Sequence, residues 1–169
     1  SVSQSPVKEK IGIPAGWSDD IDLSNDIMDD REPSMAVNET HIHAVWEHTY
    51  TAGSDYEIVY TQSNDEGKTW IPFVNISQAN FRVTEPEIDV SQNNIHVVWE
   101  DREGADRIDY RNSTDGGQNW NTIKRISVST GASVGNPDIF VNNSIVHIIW
   151  HDFRVGTNGQ IFYRRSLND

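Results

Sequence analysis

Four arginines stand among carboxylates and aromatics at separated points of the chain. Arg31 lies in Asp29-Asp30-Arg31-Glu32, and Arg82 follows Phe81 ahead of Glu85 and Glu87. Arg102 lies in Glu100-Asp101-Arg102-Glu103, and Arg154 closes His151-Asp152-Phe153-Arg154. A guanidinium offers donors in a planar fork that fits a carboxylate, and an aromatic ring offers a stacking face. Together with Glu85, Asp101, Asp152, Tyr50 and Phe153, the four arginines form the set that would grip a carboxylated sugar. For Arg102 and Arg154, each soon after a tryptophan, the competing reading is a salt bridge inside or between structural units.

Other residue types offer less. Glu32, Glu85, Glu87 and Asp138 supply several hard oxygens, the donors that Ca²⁺ prefers, or they pair with Arg31 and Arg82. His43, His96 and His147 recur at one position of a repeat, which suggests a shared packing or hydrogen-bonding role. They sit too far out to meet at one ion, as a zinc site with nitrogens about 2 Å away requires. His48 and His151 are better placed for a ligand. The chain has no cysteine, which removes disulfides, thiolate metal sites and a thiol nucleophile. No cofactor is expected.

The elements that must position these groups come from a repeat. Ile42-His43-Ala44-Val45-Trp46-Glu47 returns as Ile95-His96-Val97-Val98-Trp99-Glu100 and as Val146-His147-Ile148-Ile149-Trp150-His151. Each copy follows a segment led by Pro33, Pro86 or Pro137, with proline tolerated at the first position of a strand. Each precedes a third strand ending in Tyr60, Tyr110 or Tyr163, and a fourth starts at Trp70 and again at Trp120. Four short antiparallel strands per unit of about 50 residues, with no helical periodicity, predict propeller blades. The alternative is a β-sandwich of unrelated hairpins.

The turn between strands three and four reads Ser63-Asn64-Asp65-Glu66-Gly67-Lys68-Thr69-Trp70, then Ser113-Thr114-Asp115-Gly116-Gly117-Gln118-Asn119-Trp120. Ser and Asp oxygens accept backbone N–H bonds inside such a loop, Gly supplies positive φ, and the Trp ring packs beneath. The pattern resembles the Asp-box (BNR) repeat of sialidases and related β-propellers, with Asn119 in place of the usual Thr. Ser63, Asp65, Gly67, Trp70, Ser113, Asp115, Gly117 and Trp120 are therefore expected to be structural. The resemblance implies a ligand site on the opposite side, where the loops carrying the four arginines would gather. Glu32, Glu85, Glu87 and Asp138 would then ring one mouth of the channel.

An enzyme of the sialidase type needs three arginines from different blades, a Tyr assisted by Glu as nucleophile, and an Asp as acid/base. Ile11-Gly12-Ile13-Pro14 lacks the arginine of the family's Arg-Ile-Pro segment. Tyr60, Tyr110 and Tyr163 recur in every unit and read as packing. No catalytic residue is assigned, and the expectation is a non-catalytic recognition or scaffold module for a glycan or protein. The alternatives are a sialidase-like exo-glycosidase acting on an acidic sugar, or half of a larger propeller.

The ends are out of register. Residues 1–16 form an arm, 17–24 match the spacing of a fourth strand, 32–77 and 85–127 make two blades, and 136–169 an incomplete third. Three blades do not close, since propellers have about four to eight. Two chains exchanging the 17–24 strand would close a six-bladed ring, so a homodimer is expected.

Lys and Arg number 13 against 26 Asp and Glu, a net charge of −13. That disfavours nucleic acid and anionic membranes. No apolar run approaches the ~20 residues of a spanning helix, and Ser1–Lys10 reads as no signal peptide. Sequons at Asn38, Asn75, Asn112 and Asn142 fit an extracellular setting.

Overall fold

The computed structural model describes residues 16–39, 41–51, 55–79, 82–128 and 131–167. Every regular element among them is a strand. The first sheet runs β1 (Asp30–Asn38), β2 (His41–His48), β3 (Glu57–Ser63), β4 (Val74–Asn75). The second repeats it with β5 (Val83–Ser91), β6 (Asn94–Asp101), β7 (Arg107–Ser113) and β8 (Lys124–Arg125). The third has β9 (Val134–Asn142), β10 (Ile145–Asp152) and β11 (Gln160–Arg165). All neighbours are antiparallel.

Burial of the Val/Ile/Trp faces between successive sheets drives this stacking. Ala36, Val45, Ile58 and Tyr60 of the first sheet share a core with Ile88, Ile95, Val97 and Trp99 of the second. Val98, Ile108 and Tyr110 share another with Ile139, Val141, Ile148 and Trp150 of the third.

Two expectations about strand ends need correction. The proline-led strands begin three residues earlier than their prolines, at Asp30, Val83 and Val134. Pairing skips residues 32–33, 85–86 and 136–137, so each proline sits in a β-bulge where its missing N–H breaks no ladder bond. The fourth strands are shorter than the segments from Trp70 and Trp120. Only two residues pair in each ladder, flanked by single bonds from Ile71 N–H to Gln62 O and Ile76 N–H to Ile58 O. Pro72 interrupts the first of them.

Residues 17–24 carry no strand in the single chain. Leu23 instead packs on the first sheet against the cluster of Ala44, Trp46 and Val59. Residues 1–15 of the arm lie outside the described residues.

Candidate functional site

The loops that carry the arginines close in the same way in all three units. Thr49 N–H bonds to Asp29 O (3.2 Å), Arg102 N–H to Arg82 O (3.1 Å) and Phe153 N–H to Ser133 O (3.0 Å). Each bond fastens the segment entering a sheet to the end of that sheet's second strand, so the three loop pairs repeat one geometry.

Within this frame, three of the four arginines are held by acids of their own unit. Arg31 pairs with Asp29 at 2.5 Å, and its guanidinium lies 4.0 Å above the Tyr56 ring. Arg102 makes a forked contact to Glu100, at 2.7 and 3.2 Å. Arg154 grips Asp152 through Nε at 2.8 Å and lies 4.1 Å over Phe162. Burial pushes the Asp152 carboxyl up, but donors on Arg154 and Trp150 outweigh it and hold the group below its usual value. Asp101 is buried and pairs with Arg107, whose Nε also meets Asp109 at 3.1 Å. The salt-bridge reading thus describes Arg102 and Arg154, and it extends to Asp101 and Asp152. Arg82 is exposed. Tyr50 and Phe153 keep half-exposed rings, packed edge-on to His48 (4.6 Å) and His151 (5.3 Å).

Further in, carboxylates step from sheet to sheet. Glu47 Oε1 accepts the Glu85 N–H at 2.8 Å, and Glu85 Oε2 accepts the Asn136 N–H at 2.6 Å. Glu32, Glu85 and Asn136 hold φ of 48°, 58° and 47°, a left-handed conformation uncommon for residues with a side chain. The three bulges border a cavity of about 230 Å³ lined by Glu32, Glu85, Glu87 and Asn136 with the three prolines.

Glu47 and Glu100 belong to this site and were absent from the candidate set. Their only signal was an acid after the repeat tryptophan in two units and His151 in the third. Both are buried. Burial raises the Glu47 carboxyl, and its Oε2 has no hydrogen-bond partner among the described residues. Burial pushes Glu100 up to about 7; Arg102 pulls it back and Glu85 adds to the rise. Gly135 faces it, since a Cβ there would stand 2.8 Å from Glu100 Oε2.

Within the single chain the channel-mouth acids are engaged separately. Glu87 accepts Ser34 Oγ–H at 2.7 Å, and Glu32, Glu85, Glu87 and Asp138 do not converge as a ligand group. Among the described residues the one such group is Asp26, Asp30 and His48, with oxygens and nitrogens within 4.8 Å. Asp30 is already engaged by Trp46 Nε1 (2.8 Å) and His48 Nδ1 (2.8 Å). His48, expected to face a ligand, is buried by these contacts.

The repeated histidines share one role. His43, His96 and His147 place Nδ1 at 2.7, 2.7 and 2.8 Å from the hydroxyls of Tyr60, Tyr110 and Tyr163. The two Ser-x-Asp-x-Gly turns are also alike. Ser63 Oγ donates to Asp65 and accepts the Gly67 N–H (2.9 Å), and Ser113 does the same with Asp115 and Gly117 (2.9 Å). Donors on Thr69 and Ser63 hold the Asp65 carboxyl down at about 2. Trp120 packs edge-on to Tyr60 at 5.0 Å, and Trp70 beside Leu23.

Comparisons address the fold. No family model matches the chain, and no curated protein does. Solved structures do match. The catalytic domain of a Coprinopsis cinerea GH62 α-L-arabinofuranosidase is 15% identical with TM-score 0.53, over 81% of this chain and 45% of that one. A Penicillium chrysogenum α-L-arabinanase complexed with arabinobiose is 18% identical with TM-score 0.56, over 75% and 41%. A Hadza microbial sialidase is 15% identical with TM-score 0.55, over 83% and 32%. The chain thus spans less than half the length of each. At these identities the likeness is one of fold: antiparallel four-stranded sheets arranged as in propeller-fold glycosidases. No helix among the described residues is long and apolar enough to cross a membrane.

Proposed function

We propose that this chain is a sialidase-like, Asp-box propeller module that recognises a glycan outside the cell without hydrolysing it. The observation that carries the reading is the loop end itself, where the Tyr50 and Phe153 rings stay half-exposed and Arg82 is exposed. Exposed rings suit the faces of a sugar, and an exposed guanidinium suits its hydroxyls and carboxylates. Asp101 and Asp152 are engaged in ion pairs and the recurring tyrosines in contacts with histidines, so these five groups are committed to the fold.

A second reading, hydrolysis, is favoured by one observation. Burial pushes the Glu100 carboxyl up to about 7 beside Glu85, into the range that suits a general acid or base near neutrality. The test is a glycan array with sialosides and arabino-oligosaccharides, run beside hydrolysis of a fluorogenic sialoside and arabinofuranoside. Array binding that falls at least tenfold in Tyr50→Ala and Phe153→Ala, with no turnover, supports recognition. Turnover abolished by Glu100→Gln establishes the second reading, and blanks in both assays overturn the glycan proposal.

A further inference from the structure

The third sheet has an open side. At one repeat position Ile58 and Ile108 are fully buried, whereas Ile161 is 74% exposed. At another, Tyr60 and Tyr110 are 0 and 3% exposed and Tyr163 is 56%. Phe140 and Ile149 extend this bare face. In the two complete sheets the next sheet covers the same positions, and a fourth strand caps the edge. Ile76 and Ile126 donate N–H to Ile58 O and Ile108 O (2.9 and 2.7 Å), and Ser77 and Ser127 Oγ accept N–H from the same two isoleucines (3.0 and 2.9 Å).

Leu23 and Ser24 occupy the positions of Ile76 and Ser77 in the repeat, and their segment already has that strand's local form. Asn75 Oδ1 accepts Gln78 N–H (2.9 Å) and Ser77 Oγ–H (3.3 Å), with Gln78 at φ 50°. Asp22 Oδ1 accepts Asn25 N–H (3.0 Å) and Ser24 Oγ–H (3.1 Å), with Asn25 also at φ 50°. Leu23 rests on the Ala44–Trp46 side of the first sheet, as Ile76 shares a core with Val97 and Trp99 of the second. Leu23 thus sits on the first sheet as the fourth-strand residue Ile76 sits on the second. That first sheet, correspondingly, leaves Met35 and Val37 bare.

We propose that a second copy of this chain supplies the missing pieces. The Ile21–Ser24 segment of each copy becomes the fourth strand on β11 of the other, and each first sheet covers the Ile149–Ile161–Tyr163 face of its mate. The donor and the acceptor of this joint are both present in every copy, and they match the two joints inside the chain. Two equal joints related by a two-fold axis close six sheets into a ring, which ends the exposed β11 edge.

The absence of cysteine makes the test clean. The ladders pair Tyr60 with Val74 and Tyr110 with Lys124, the repeat positions of Tyr163 and Ile21. In the 169-residue chain carrying Ile21→Cys and Tyr163→Cys, mild oxidation is expected to give a covalent species of twice 19.2 kDa on a non-reducing gel. Unmodified chain is expected to show the same doubled mass by light scattering, and Ile161→Asp to run as a folded monomer with unchanged circular dichroism. A disulfide within one chain, a 19.2 kDa unmodified chain, a ladder of larger polymers, or an Ile161→Asp variant that stays dimeric would each overturn the proposal.

Discussion

The second and third sheets are built from the same repeat, yet one is enclosed on both faces and the other on one. Their second strands read Ile-His-Val-Val-Trp and Val-His-Ile-Ile-Trp, and both hold a His–Tyr contact of nearly equal length. What differs is whether a neighbouring sheet removes those groups from water. The pair therefore separates what a contact contributes from what burial contributes, with the chemistry held constant.

The largest expected effect uses Ile108 and Ile161. Ile108→Ala deletes a fully buried side chain between two sheets and should cost about 2–5 kcal/mol in urea unfolding. Ile161→Ala should cost less than about 0.5 kcal/mol at protein concentrations where copies are separate. At concentrations where copies pair, its cost should rise toward that of Ile108→Ala. Equal costs at every concentration would break the comparison.

A smaller effect distinguishes the two turn glycines. Gly117 has φ 86°, and an added Cβ would stand 2.5 Å from the Tyr60 hydroxyl of the preceding sheet. Gly67 has φ 82°, and its nearest neighbour would be the Ile42 Cδ1 at 3.3 Å. Gly67→Ala should therefore cost about 1 kcal/mol from backbone conformation, and Gly117→Ala about 2–3 kcal/mol because the clash adds to it. Melting temperatures check the order, and a reversal would mean that Tyr60 does not pack against the turn.

Next comes the His–Tyr contact itself. Where copies are separate, Tyr110→Phe removes a hydroxyl from a buried pair and should cost about 1 kcal/mol, whereas Tyr163→Phe, exposed, should stay within about 0.5 kcal/mol. Matching losses would show that the contact, and not its enclosure, sets the energy.

These positions also show what could be read from residues alone. The tryptophan repeat, the alternation before it and the Ser-x-Asp-x-Gly turns each depend on neighbours a few residues away, so the three sheets and both turns were legible. The matched spacing of Trp17–Ser24 and Trp70–Ser77 pointed to a fourth-strand segment, and Asp22 and Asn25 hold the form of Asn75 and Gln78. The fate of Glu47 and Glu100 was not legible, because an acid after a strand tryptophan looks solvent-facing until the next sheet's bulge closes over it. For the same reason Asp101 and Asp152 read as ligand groups. Their partners Arg107 and Arg154 reach them only after the loop folds back. Asn112, a sequon residue, is likewise buried beside Asn121 in the folded chain.

The last effect concerns Glu100, which stands where the third sheet has His151. Its carboxyl is raised from 4.5 to about 7, so between those values the folded chain binds a proton that the unfolded chain has released. That contribution is fully present below pH 4.5 and is lost as pH rises through 7. The Arg102 fork already offsets part of the burial cost, and the rise that remains is what the pH dependence reads. His43, lowered to about 4, works in the opposite direction: its contribution is present above 6.5 and is lost as pH falls through 4. The total curve mixes the two, so the measurement is a difference. From pH 5 to pH 8 the urea midpoint of the unmodified chain should fall relative to that of Glu100→Gln, whose amide is neutral throughout. Parallel curves would place the proton elsewhere and remove Glu100 as the acid of the second sheet.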